Sequence, residues 1–565
     1  MDGGLNEQGQ RKTYKGYDQR STINYGSEKI EYDSSSQISG RSHHHDMKVE
    51  PGSLESGDAS SSNVDMQDGT QRGLKTRHIQ MIALGGCIGL FLNMGMNIAT
   101  AGPAGALIAY IVIGFMVYCI MTALGEMASL IPVTGSFNHY ASRFVDKSLG
   151  FSLGWNYWFY SVTIATELSA AATIIDWWGP ILPDAAWSAI FMVIIIAVNL
   201  LSVKLYGELE YYISMIKILI VLVFIIIAIL VSTGAVGGQG PIGFRYWIAP
   251  GAFANGGVGT VSVLLSAGFS YQGTEVVGIT AGEARNPIKA IPRAISNTFW
   301  RILFFYVFTI FLIGMCMPYD NEQLANGDGS PNTSAFTLIF ELAGIKAGAH
   351  VINAIVLTAV LSAANAAVYT TARTLLGLAQ DGNAPAFLLK TNRFGAPWIA
   401  VLVSSICGFA ACFVSIYSAS VGFVWFLSIT TVAGFISWWG ISFVHLRFRR
   451  AYVKQGRDLK ELPYLSPWYP FSDLFPCILC ILIILGQGYN AFTPQFDIRI
   501  FMQNYCGLIP APILYVGHKL YMKSKVVPLD EADFETGRVS VYDIQQANAG
   551  ERKLTWWRRA LYFIL

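Results

Sequence analysis

Apolar and polar residues are distributed very unevenly along this chain. Residues 1–73 are rich in Ser, Gly, Gln and Asp, with scarcely any apolar periodicity. From there to about residue 521, long apolar runs follow one another, separated by polar connections. About 20 apolar residues in a helix cross the hydrocarbon core of a bilayer. By that measure the runs predict twelve spans, near 79–99, 103–130, 151–176, 185–204, 211–233, 258–281, 298–318, 350–379, 397–416, 421–445, 472–491 and 499–521. The eighth is long enough to include a helical extension beyond the membrane. The expected architecture is an all-α polytopic membrane protein embedded in a lipid bilayer. It would have a disordered tail over 1–73, a twelve-helix domain over 74–521 and a polar C-terminal tail over 522–565. The first tail cannot bury enough apolar surface to fold.

The sixth run breaks the pattern. Its segment GFSYQGTEVVGITAGE, residues 268–283, carries four glycines and the carboxylate Glu275. An ionised carboxylate at mid-membrane costs roughly 2.5–3.5 kcal/mol on insertion scales. Glycines within an apolar span let the helix open and expose backbone groups, which is tolerable only inside protein or around a cavity. The first run is similar, with Gly85, Gly86 and Gly89 close together. Two glycine-broken spans, five spans apart, match an inverted repeat whose discontinuous helices meet at the membrane midplane. Glycine also serves simply to pack helices closely. These features predict a solute site between the first and sixth spans, with Glu275 and its neighbour Thr274 in it; the alternative for Glu275 is a carboxylate satisfied by neighbouring helices.

Two further charges lie inside apolar runs. Lys217 sits seven residues past Glu210, which places it roughly 10 Å deep at about 1.5 Å per helical residue. Either it snorkels to the interface, or it is a buried lysine able to exchange a proton. Glu167 lies in TIATELSAAAT, where flanking small residues let another helix approach. It reads equally as a site or proton-relay carboxylate and as a paired structural acid.

Composition narrows the class. The chain has 565 residues, 53% hydrophobic and 13% charged, with a mean hydropathy of +0.44. That excludes a soluble enzyme, and the loops hold no nucleophile–base set for a membrane enzyme. Basic residues sit in short connections and not on one face of a soluble domain, so no nucleic-acid partner is expected. Their distribution sets the orientation. Connections after even-numbered spans hold Arg143, Lys147, Arg285, Lys289, Arg293, Lys390 and Arg393, and the one after span ten holds Arg447, Arg449, Arg450, Lys454, Arg457 and Lys460. That side is predicted to be cytoplasmic, with both termini on it. Asn332 then begins an N-x-T sequon in an outer loop.

The long polar N-terminus predicts no cleavable signal peptide. All eight cysteines lie in or beside apolar runs, and Cys477-x-x-Cys480 has no second pair, so they read as packing residues. His43–His45 lack fixed geometry in a floppy tail, so no metal is expected, and nothing implies another cofactor. Lys12, Lys15, Lys29 and Lys48 are open to modification, which makes ubiquitin-ligase machinery a candidate partner. Trp556, Trp557, Arg558, Arg559 and Phe563 could form a short helix lying in the membrane interface.

Several segments resemble those of fungal amino-acid permeases of the amino acid–polyamine–organocation superfamily. They are GPAGALIAYIVIG, ALGEMASLIPVTGSF, YGELEYYISMIKI, FSYQGTEVVGITAGEARNPIKAIPRAI, LSAANAAVYTTARTLLGLAQDGNAP, SWWGISFVHLRFRRA and LDEADFETGR. They occur in order over about residues 73–540. The resemblance implies a five-plus-five inverted-repeat transporter fold with two extra C-terminal helices. It implies proton-coupled amino-acid symport by alternating access at the plasma membrane, with the proton as coupling ion. By matching position, Gly85, Gly86 and Gly89 would offer backbone N–H groups to the substrate carboxylate. Backbone at Phe269, Ser270 and Tyr271 would face the α-ammonium, with the Phe269 or Tyr271 ring closing over the substrate. Lys217 and Glu275 match the family's lysine and G-T-E acid, and Thr430 and Thr431 fall where relatives tune side-chain preference. One departure stands out: relatives read GGTIGTGLFxGSG where this chain reads GGCIGLFLNMG, two residues shorter, with Asn93-Met94 in place of Gly-Ser. Ala366 likewise replaces the serine that commonly follows Asn365. A shortened carboxylate cradle raises a second expectation, a non-transporting amino-acid sensor on the same fold.

Overall fold

The computed structural model describes residues 74–540 apart from 75, 86–89, 180, 202, 285, 325–333, 415–418 and 493–494, all within the compact unit Ser62–Leu565. Gly86 and Gly89, the tail over 1–73 with its histidines and lysines, the Asn332 sequon and the stretch from Trp556 to Phe563 lie outside the described residues.

Helices dominate. They are α1 Thr76–Gly85, α2 Leu90–Leu130, α3 Ser136–Phe144, α4 Lys147–Phe159, α5 Val162–Ile175, α6 Asp184–Asn199 and α7 Val203–Ser232. Then come α8 Gly256–Ser262, α9 Leu264–Tyr271, α10 Val276–Ile279, α11 Pro287–Ile302, α12 Phe308–Cys316, α13 Ala335–Leu342 and α14 Lys346–Gln380. The last are α15 Trp398–Val414, α16 Ala419–Lys454, α17 Phe471–Gly486, α18 Ile498–Tyr505 and α19 Pro510–Met522. Among the described residues six helical stretches are long and apolar enough to cross a membrane, and three shorter ones are apolar.

Most predicted runs match a helix, and the exceptions have local causes. The helical path of α2 is interrupted at Gly102, just before Pro103, so one helix carries the end of the first run and all of the second. The third run divides between α4 and α5 at Tyr160–Ser161. The twelfth is two short helices, α18 and α19, because Pro510 begins a new helix and cannot continue an old one. The amphipathic α3 was not anticipated; it buries Phe137, Tyr140, Ala141 and Phe144 on one side.

The sixth run breaks where its glycines predicted. Helix α9 ends at Tyr271, Gln272 turns to an extended conformation, and α10 resumes at Val276. Gly273 adopts φ +93°, a left-handed conformation that residues with a Cβ rarely occupy. Around this break, α16 packs on α5 and α9, and α14 packs on α5 and α7.

The face where α2, α3 and α16 end is held by buried charge. Arg449 donates to both Glu126 oxygens, the Ser466 amide donates to Glu126 at 2.7 Å, and His445 Nδ1 lies 2.8 Å from Asp473. All four charged side chains are buried, and each is paired, as burial demands. Residues 527–539 then run across this face. Val527 and Val539 donate to Val145 and Leu130 carbonyls at 2.8 and 3.0 Å. Phe534 is fully buried, with its ring centroid 5.1 Å from those of Phe144 and Tyr452. Asp533 meets the Arg143 guanidinium at 2.7 Å. Partial burial pushes the Asp533 carboxyl up, but donors from Thr536, Glu535 and Arg143 outweigh it and hold the group well below the usual carboxylate range.

Candidate substrate site

Opening a helix in an apolar interior leaves peptide groups that need partners. The break in the sixth run supplies them from its own side chains. Glu275 accepts from the Gly273 amide at 3.2 and 3.1 Å, from the Tyr157 hydroxyl at 3.0 Å and from Trp438 Nε1 at 3.1 Å. The Thr274 hydroxyl donates to the Tyr271 carbonyl at 3.1 Å. Gln272 Nε2 donates to the Thr431 carbonyl at 3.0 Å, passing so close to Gly434 that a Cβ there would lie 1.9 Å from it. Glu275 therefore has three different donors around it and no exposed surface. The alternative raised for it from sequence, a carboxylate satisfied by neighbouring helices, describes its surroundings here.

The other aromatic and hydroxyl groups assigned from sequence gather on α9. Phe269, Ser270 and Tyr271 are all buried. Tyr271 stacks on Tyr306 with centroids 4.9 Å apart, and its hydroxyl donates to the Tyr110 carbonyl at 3.0 Å. Ser270 Oγ lies 2.9 Å from the Tyr110 hydroxyl. Gly85 is the last residue of α1.

Glu167 contrasts with Glu275. It keeps 3% exposure, yet accepts no hydrogen bond from any described residue. Its neighbour Thr166 lies 3.3 Å from Thr430 across the α5–α16 contact, and Thr431 donates to the Leu427 carbonyl. The charge that reaches Glu167 is the Lys217 ammonium.

Lys217 is buried and does not snorkel. Its Nζ donates to Ser362 Oγ at 2.9 Å and lies 3.7 Å from Glu210 Oε1. Ser362 in turn donates to both Glu210 oxygens, at 2.7 and 2.8 Å, and Ser214 ties the same stretch of α7 to the Met81 carbonyl of α1 at 2.9 Å. The structure thus places Glu167 within the field of Lys217 and sets Glu275 apart in its own cluster. Glu210 and Ser362 were missed from sequence. The YGELEYY context read Glu210 only as a marker for the end of a connection, and Ser362 lies 145 residues beyond Lys217 with no motif linking them. Among the described residues no group of three or more His, Cys, Asp or Glu could hold a metal ion.

A helical protein with several membrane-length helices and a polar site beside an opened span has the form of a solute transporter. Comparison with known proteins agrees at the level of fold. The manganese transporter of Eremococcus coleocola superposes with a TM-score of 0.51 over 83% of this chain and 94% of that one, at 11% identity. Sequence comparison goes further: the amino acid permease family model matches residues 78–530, and the chain belongs to that family. It is 43% identical to the lysine-specific permease LysP of Escherichia coli, over 82% of this chain and 96% of that protein. It is 40% identical to the histidine permease HisP of Lactococcus lactis, over 83% and 99%. Against the lysine-specific permease of Saccharomyces cerevisiae it is 39% identical, over 83% and 79%. The protein is a multi-pass membrane permease and not an enzyme, and its substrate class is amino acids.

Proposed function

We propose that the protein is a proton-coupled symporter for cationic amino acids, working by alternating access at the plasma membrane. Its twelve spans would form two inverted sets of five plus two, with both termini cytoplasmic. The observation that carries the reading is the buried Glu167 carboxylate without a hydrogen-bond donor among the described residues. A buried anion left in that state is unfavourable, and the side-chain cation of a lysine or arginine substrate supplies what it lacks. Thr166, its neighbour in sequence, meets Thr430 at 3.3 Å, and this pair would set the length of side chain accepted. That several relatives are lysine permeases supports the same substrate.

Lys217, Ser362 and Glu210 form the proton-carrying group. With the substrate cation taken up by Glu167 and the proton held on Lys217 beside Glu210, each positive charge has its own carboxylate, so the loaded site carries both together. The opened turn at Gln272–Glu275 leaves the end of α9 able to face the α-ammonium, with Glu275 holding the turn.

Radiolabelled lysine uptake in a permease-deficient cell, at two external pH values, tests the proposal. Concentrative uptake that rises on acidification supports it. Tight lysine binding by purified protein with no uptake at either pH would establish the sensor reading instead, which the shortened first-span segment favours.

A further inference from the structure

The connection from α2 to α3 is wedged between two spans. A Cβ on Gly278 would lie 2.7 Å from Ser136 Oγ, one on Gly282 2.6 Å from Thr134 Oγ1, and one on Gly377 2.6 Å from Gly135 Cα. Residues 134–136 fit between the later part of the sixth run and α14 only because those three positions carry no side chain. Gly278 and Gly282 follow the opened turn, on the way to the basic connection that faces the cytoplasm by its charge. The wedge therefore stands between the opened turn and that face.

Its polar atoms make a poor permanent seal. Thr134 Oγ1, Ser136 Oγ, Ser142 Oγ and both polar atoms of the Asn138 carboxamide are buried without a hydrogen-bond partner among the described residues. Each would regain water by moving outward. What opposes that movement is the segment 527–539. Its ends clasp the two ends of the connection and α3, through Val539 N–H on the Leu130 carbonyl at 3.0 Å and Val527 N–H on that of Val145 at 2.8 Å. Between them, Arg143 of α3 donates to Asp533 and to the Thr536 carbonyl, both at 2.7 Å. The same segment grips the end of α16. Phe534 lies against Phe448 and Tyr452, and Arg457 donates to Glu535 at 2.6 Å.

We infer that residues 527–539 are a latch on this wedge: docked, they hold the cytoplasmic side closed, and their release lets residues 131–145 move away and open the permease inward. This rests on the reading of the protein as an alternating-access carrier, but not on the amino acid carried or on the proton. The latch is built to let go. Asp533 and Glu535 are exposed, and ion pairs in contact with water hold weakly. The buried Phe534 ring is the main grip.

The test uses full-length protein carrying Thr134→Cys, alone or with Phe534→Ala or the pair Asp533→Asn and Glu535→Gln. Labelling by a hydrophilic maleimide is followed in lipid nanodiscs and read cysteine by cysteine by peptide mass spectrometry. Counterflow of a radiolabelled amino-acid mixture is measured in vesicles made from the same protein. Phe534→Ala is expected to speed labelling at residue 134 about tenfold, and the double acid variant about threefold, by moving population toward the inward-open state. Native Cys480, buried beside Met116, should label no faster in either. The double variant keeps the Phe534 ring in its hollow and decides the matter should the alanine variant fold poorly. Unchanged labelling at residue 134, or an equal rise at 134 and 480, with counterflow intact, overturns the latch alone. Absence of counterflow in the protein with an unaltered tail overturns alternating access, and the latch falls with it.

Discussion

Glu275 and Glu167 are both carboxylates within predicted spans, both almost wholly buried, and from sequence both read as site acids. Their surroundings differ completely. Tyr157, Trp438 and the Gly273 amide converge on Glu275, so its charge holds an opened turn in place. Glu167 receives no donor from the described residues and shares only the field of Lys217. The difference separates two uses of a buried anion. One whose acceptor sites are filled by the chain belongs to the scaffold, whereas one left unmatched has its partner arriving from outside. Proximity to the helix break, which made Glu275 the more conspicuous candidate, is a weaker guide than the count of donors.

This contrast can be broken by substitution. The largest effect is expected at Lys217, which balances Glu167. Lys217→Ala should abolish proton-driven accumulation of lysine while surface expression stays near wild type; normal concentrative uptake would remove the lysine from the coupling. Glu275→Gln comes next. It turns one acceptor into a donor that faces other donors, and should cost roughly 2–4 kcal/mol of stability. A fall in thermal midpoint and in recoverable protein reports it, and an unchanged midpoint would show that the filled carboxylate is not holding the turn. Glu167→Gln should do the reverse, leaving the midpoint unchanged while lysine affinity falls roughly 10–100-fold, the equivalent of about 1.5–3 kcal/mol for hydrogen bonds to charge. Equal stability losses at the two glutamates would erase the distinction.

Smaller effects sharpen it. Gly434→Ala places a methyl against Gln272, which must give up the Thr431 carbonyl; overpacking of this kind costs about 1–3 kcal/mol, measurable as a lowered thermal midpoint. The smallest effect is expected at Asp533, a satisfied carboxylate outside the membrane. Its folded pKa is depressed, so its contribution is present above the unfolded value and is lost only as pH falls through the lower folded one. Acidification from neutrality to about pH 5 should leave the tail docked, as judged by protease protection of residues 527–539.

How much of this was legible in the chain depends on how local each cause is. The break at Gln272–Glu275 was readable because glycine and a carboxylate within one apolar run announce it. The depth of Lys217 followed from helical rise alone. The state of Glu275 was not readable, because its donors Tyr157 and Trp438 come from residues 118 and 163 positions away. The Lys217–Ser362–Glu210 chain escaped for the same reason. Helix α3 escaped because its nine residues fall below any membrane-length window, although Phe137, Tyr140, Ala141 and Phe144 carry a helical period.

Phe534 enters a hollow lined by Phe144, Phe448 and Tyr452, yet it is synthesised only after α19, the last helix among the described residues. Until the ribosome has passed it, the faces of those three rings that it covers have no partner from the tail. A chain halted just short of residue 534 leaves that hollow unfilled, and the loss of a buried phenylalanine costs about 3–5 kcal/mol.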